Sequence, residues 1–115
     1  MASRDRALRR EVEDLLRARE HWSLQPSSSP GMPSQWCLLS GPEIELSATV
    51  DKGAVVVYVM DANAELFFDD VAAFRTWLDA DEALFLERRS MTAELFDDLL
   101  NGRIHEWGRQ GLHRG

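Results

Sequence analysis

The chain is poor in sulfur chemistry and in lysine. Cys37 is the single cysteine among 115 residues, so neither an intrachain disulfide nor a multi-cysteine metal centre is possible. That usage fits a reducing compartment. Lys52 is the one lysine beside twelve arginines among the 13 basic residues. No apolar run reaches the roughly 18 residues that a membrane-spanning helix needs. The opening residues "MASRDRALRREVEDLLRARE" are charged throughout and offer no apolar core of a signal peptide. The expectation is therefore a cytoplasmic protein without a membrane contact. A glycine-rich phosphate loop and a G-x-S-x-G elbow are both missing.

What the chain does have is the composition of one folded domain, with 44% hydrophobic and 29% charged residues. A chain of this length buries roughly two-thirds of its unfolded surface, enough for a core without covalent staples. Its net charge of −7 is uneven. Residues 1–40 carry six Arg and five Asp/Glu, residues 41–100 four Lys/Arg and fourteen Asp/Glu, and residues 101–115 three Arg and one Glu. The acidic middle repels nucleic acid and attracts basic partners. Arg4, Arg6, Arg9 and Arg10 form the only basic cluster, and acidic residues are interleaved with it, so direct nucleic-acid binding is not expected.

Leu8, Val12, Leu15, Leu16 and Arg19 recur at the spacing of one helical face, which predicts a helix over residues 1–22 with Ser3 as N-cap. Asp5–Arg9 and Glu13–Arg17 add acid-before-base pairs one turn apart. Residues 23–35, rich in proline and serine, read as a flexible loop. Residues 36–68 read as a four-stranded antiparallel meander: "WCLL", "EIELSATV", "AVVVYVM" and "AELFF". Three-residue turns are expected at Ser40–Pro42, Asp51–Gly53 and Asp61–Asn63, with Gly53 in the left-handed region.

That register places Trp36, Leu38, Ile44, Leu46, Ala48, Val50, Val56, Tyr58, Met60, Leu66 and Phe68 on a core face. Val55, Val57, Val59 and Phe67 then form an apolar island on the opposite face, beside Cys37, Leu39, Ser47 and Thr49 and rimmed by Glu45 and Glu65. Residues 69–107 read as two or three helices packed on the sheet. Asp69 or Asp70 caps the first, and "DEALFLERR" reads as a short helix capped by Asp81 in preference to an edge strand. Ser90 caps the last helix, whose buried stripe is Leu95, Leu99, Leu100, Ile104 and Trp107, with a break signal at Asn101-Gly102. Residues 108–115 should fray. The fold class is α+β, in a single domain.

Constellations that could carry chemistry fall short. The run from Asp61 to Asp69 opens like a calcium loop, but Leu66 stands where the turn glycine belongs and Ala72 where the bidentate glutamate belongs. Asp69-Asp70 and Asp97-Asp98 are adjacent on helices, pointing about 100° apart, so neither pair converges. His21, His105, His113 and Cys37 share no metal-ligand spacing. No catalytic residue, metal or cofactor is expected.

Helix, meander and helices on a small acidic chain resemble the architecture of secretion chaperones and toxin-neutralising immunity proteins, although no motif carries a specific family likeness. The expectation is a non-enzymatic protein-binding module, an immunity- or antitoxin-type inhibitor or a chaperone, that binds a basic protein stoichiometrically. Val55, Val57, Val59, Phe67, Glu45 and Glu65 are its expected partner-binding residues. The alternatives are a small carboxylate-based enzyme, or a subunit or homodimer without a foreign partner. In each binding reading the first helix competes to cover the valines.

Overall fold

The computed structural model describes residues 2–25 and 35–113, with the side chains of Ala2 and Ser3 excepted. Its elements run α1 (Ala2–Arg17), β1 (Trp22–Gln25), β2 (Gln35–Ser40), β3 (Glu43–Asp51), β4 (Ala54–Val59), β5 (Ala64–Phe68), α2 (Val71–Leu86), a short 3-10 turn (Arg88–Ser90) and α3 (Ala93–Arg109). The five strands form one antiparallel sheet in chain order. The predicted α+β meander is present with one additional strand. Trp22 leaves the predicted first helix and pairs with Leu38, which makes residues 22–25 the edge strand β1. Most of the predicted loop lies outside what is described, and Ser3, the predicted N-cap, falls inside α1, which already takes in Ala2.

The turns differ from expectation by one residue each, and the faces follow. Lys52 and Gly53 both take positive φ, 51° and 78°. They form a two-residue turn whose twist matches the strands, so Val50 faces Val55 rather than Ala54. The next connection takes in Met60 and has four residues, with Val59 facing Ala64. The two differences cancel by β5. Leu66 and Phe68 therefore face the core as predicted, whereas every side chain of β4 changes sides. Val55, Val57 and Val59 are fully buried, and the predicted surface island is instead the middle of the core.

All three helices contribute to that core on one side of the sheet. Leu8, Val12 and Leu16 of α1, Phe74, Trp77, Leu78 and Phe85 of α2, and Phe96, Leu100 and Trp107 of α3 join it. Phe68, Phe74, Trp77, Phe85, Trp107 and Phe96 form a chain of ring contacts with centroids 5.5–6.5 Å apart. Such pairs stabilise by about 0.5–1.5 kcal/mol each beyond burial. Trp77 Nε1 is the one buried side-chain polar atom without a hydrogen-bond partner among the described residues.

The helical segment corrects three further expectations. Asp70 does cap α2, accepting from Ala73 N at 2.8 Å. Asp81, however, starts no second helix. It lies inside α2, 2% exposed, and accepts from Arg103 Nε (2.5 Å), Arg103 Nη2 (3.2 Å) and Trp107 Nε1 (3.2 Å). Three hydrogen bonds, two of them from a guanidinium, offset the cost of burying a carboxylate in the middle of a helix. Thr92, rather than Ser90, caps α3. α3 continues through Gly102, and Leu95 and Leu99 are exposed because Phe96 and Leu100 take the inward positions. The segment after α3 is tied to the sheet through His113: Phe67 N donates to Leu112 O (3.0 Å), and His113 bridges to Leu66.

Candidate functional site

With the helices all on one side, the second face of the sheet is the part of the fold that they leave open. Strand alternation places Cys37 and Leu39 of β2, Ser47 and Thr49 of β3, Val56 and Tyr58 of β4, and Glu65 and Phe67 of β5 on this outer face. Asp51 and Glu65 are its only charged side chains among the described strand residues. An outer face exposed to water normally alternates charged or strongly polar residues with the buried ones. Here the outward positions in the middle of β3 and β4 are Ser47, Thr49, Val56 and Tyr58.

The centre of the face is closely packed: Cys37, Ser47 and Val56 are buried. Burial also pushes the Cys37 thiol above its ordinary range, which keeps it protonated and poorly nucleophilic. Access is at the two ends. At the β3–β4 hairpin end a groove of about 470 Å³ is lined by Thr49, Asp51, Lys52, Ala54, Val56, Glu65 and Phe67. Its floor is apolar and its margin carries two carboxylates and one ammonium. At the opposite end Ile44 and Met60 are exposed, at 40% and 38%. They flank the point where Met60 N donates to Glu45 O (3.1 Å). Tyr58 donates from its hydroxyl to Asn63 Oδ1, which ties the middle of the face to the β4–β5 loop.

Of the six residues expected to bind a partner, Phe67 and Glu65 stand on this face, half-buried and exposed respectively. The three valines do not. Glu45 is also displaced, by a β-bulge: Leu38 pairs with Leu46 but Leu39 with Ile44, leaving Glu45 as the extra residue. The bulge turns Glu45 inward, 1% exposed, where Arg88 Nη1 donates to both of its oxygens at 2.5 and 2.7 Å. Asp61 accepts from the same Nη1, and the guanidinium lies 4.7 Å from the centroid of Phe96. Burial pushes the Glu45 carboxyl above the usual glutamate range, and Arg88 opposes that shift without reversing it.

Two more polar groupings could be mistaken for chemistry. Arg19 donates to Glu82 (2.8 Å) and Asp79 (2.7 Å), while Trp22 Nε1 donates to the second oxygen of Glu82 (2.6 Å). Together with Asp81–Arg103–Trp107 this fastens the α1–β1 connection, β1, α2 and α3 to one another. In each grouping the carboxylates accept hydrogen bonds from arginine or tryptophan. No group of three or more His, Cys, Asp or Glu among the described residues is arranged to hold a metal ion. No helix among them is long and apolar enough to cross a membrane.

What sequence reasoning missed were long-range partnerships: Val56 and Thr49 lining one groove with Phe67, and Arg88 reaching Glu45 across 43 positions. The one local signal was Lys52-Gly53, a dipeptide compatible with a two-residue turn. No known protein family, curated protein or solved structure gave a match to this chain.

Proposed function

We propose that this chain is a non-enzymatic binding module, cytoplasmic, that engages a basic protein partner by stoichiometric contact on the outer face of its sheet. Inhibition of a toxin or chaperoning of an effector segment is the kind of task that such contact performs. The observation that carries the reading is the near absence of charge on that face, in a chain of which 29% is charged and whose net charge is −7. Thr49 and Phe67, both half-buried in the groove, supply an uncharged floor, and the apolar area a partner covers there contributes affinity at about 25 cal/mol per Å². Asp51 and Glu65 at the margin, backed by the acidic body, steer a basic surface and speed encounter.

The test is affinity capture from the native organism, comparing wild type with the double variant Thr49→Lys/Glu65→Lys. Both positions line the groove, and neither is fully buried. The expected result is loss of a stoichiometric, salt-sensitive protein partner from a variant whose circular dichroism is unchanged. A folded double variant that retains every partner of the wild type would overturn the reading.

A further inference from the structure

A second opening lies on the helical side of the sheet and shares only Thr49 with the groove on the outer face. At the end of the core nearest the sheet's β1 edge, α1 does not seal against the strands. The cleft left there has a volume of about 300 Å³, with walls from Val12, Leu24, Trp36, Ala48 and Val50. That is the lower end of the size range of small-ligand sites, and an apolar lining with a few polar groups at the mouth is their usual composition. Leu24 is 46% exposed and Trp36 half-buried, so a leucine and an indole that would complete the core instead meet solvent.

The mouth is made by Arg9 and Glu13 of α1. They are not equivalent. Glu13 accepts from Arg17 Nη2 at 2.5 Å, so its charge is already compensated. Arg9 makes one long contact, Nη2 to Val50 O at 3.4 Å, and no carboxylate among the described residues lies within ion-pair distance of it. Arg4, Arg6 and Arg10 on the same helix also lack such a partner among the described residues. α1 carries five arginines against four acidic residues, whereas the rest of the chain is strongly acidic. The cleft therefore presents an apolar interior beneath an uncompensated guanidinium.

We infer that this cleft is a binding site for a small amphiphilic carboxylate. The apolar body lies against Trp36, Leu24 and Val12, and the carboxylate accepts hydrogen bonds from Arg9. The class follows from the two halves of the site: the walls select an aliphatic or aromatic body, and the lone cation selects an anionic head. A cationic head would meet Arg9 with the compensated Glu13 as its only acid.

Decanoate, below its micelle concentration, is the probe. Titration calorimetry should show one saturable site, with a tryptophan fluorescence change that disappears in Trp36→Phe. Decyltrimethylammonium, with the same tail and opposite head, and acetate, with the head and no tail, should both bind far more weakly. Loss of a charge-assisted hydrogen bond predicts that Arg9→Gln weakens decanoate by about 10- to 100-fold. Arg9→Lys should restore much of the affinity, and Arg109→Gln on α3 should leave it unchanged. Absence of saturation by decanoate, equal binding of the cationic amphiphile, or unaltered affinity in a folded Arg9→Gln protein would each overturn the assignment. Thr49 borders both openings, whereas Arg9 and Trp36 line only this cleft, so the Arg9 and Trp36 variants test it independently of protein capture on the outer face.

Discussion

Val50 stands directly opposite Val55, joined to it through Asp51, Lys52, Gly53 and Ala54 in a turn with two left-handed residues. That single pairing decides which way β4 faces. With Val55 inward, Val57 and Val59 follow, and the six-residue strand closes the core beneath α1 and leaves Val56 and Tyr58 to the outer face.

The consequence is open to a direct test with two neighbouring lysine substitutions. Val57 is fully buried in the core, so Val57→Lys should cost at least about 4 kcal/mol by burying an unpaired ammonium and should leave the chain largely unfolded. Tyr58→Lys, on the half-buried outer side, should fold with a loss of roughly 1–2 kcal/mol. Urea denaturation followed by far-ultraviolet circular dichroism separates the two. Equal losses would contradict the register.

The turn itself holds strain that can be removed. Lys52 adopts φ of 51°, a conformation costing a typical L-residue about 1–2 kcal/mol and asparagine less. Lys52→Asn creates the Asn-Gly pair that two-residue hairpins favour. It should raise stability by about 0.5–1 kcal/mol, seen as a higher urea midpoint with unchanged slope.

Asp81 is the buried half of an ion pair whose arginine reaches solvent. Asp81→Ala leaves the buried Trp107 indole N–H without its acceptor while Arg103, 38% exposed, turns to solvent, and a loss of about 1–3 kcal/mol is expected. The double variant Asp81→Leu/Arg103→Met should recover most of it, because apolar packing substitutes for the pair without desolvating charge. As a comparison, Glu13→Ala breaks an ion pair whose two side chains are 42% and 64% exposed, and should cost less than about 1 kcal/mol. Thermal denaturation of wild type and the three variants ranks them.

Glu45 gives the protein a pH dependence of defined sign. Its carboxyl is raised by burial in the folded state, so the native protein holds this proton to higher pH than the unfolded chain does. The stabilising contribution is complete below the unfolded glutamate range and declines as pH rises through the folded value. The stability of wild type relative to Glu45→Gln should therefore be more favourable at about pH 4 than at about pH 7. Urea titrations of both proteins at the two pH values measure the difference. A difference that moves the other way would show that Arg88 outweighs burial.

Much of this architecture is legible in local pattern. The helical spacing of Leu8, Val12 and Leu16 and the cap at Asp70 each act within a few residues, and α1 and α2 form there. "EIELSATV" alternates from Leu46 onward, and Leu46, Ala48 and Val50, the residues that alternation selects, join the core. Where a pattern is ambiguous locally, the long-range contacts decided. Leu95 and Leu99 have helical spacing, yet Phe96 and Leu100 are the buried pair, because the ring of Phe85 on α2 meets Phe96 on that side.

The sequence by itself determined an α+β domain with a helix before the meander and helices after it, because periods of 3.6 and 2 residues are properties of the chain. It did not determine which side of the sheet the strand "AVVVYV" shows to the helices. Each of those six residues is apolar or aromatic, so a period of two has no preferred phase, and a turn shorter by one residue reverses it. The tertiary structure made that choice when Lys52 and Gly53 closed the hairpin and α1 docked over Val55, Val57 and Val59. It also turned Glu45 inward to Arg88, set Asp81 between Arg103 and Trp107, and placed Val56 and Phe67 on the sheet face opposite the helices, with carboxylates at its margin.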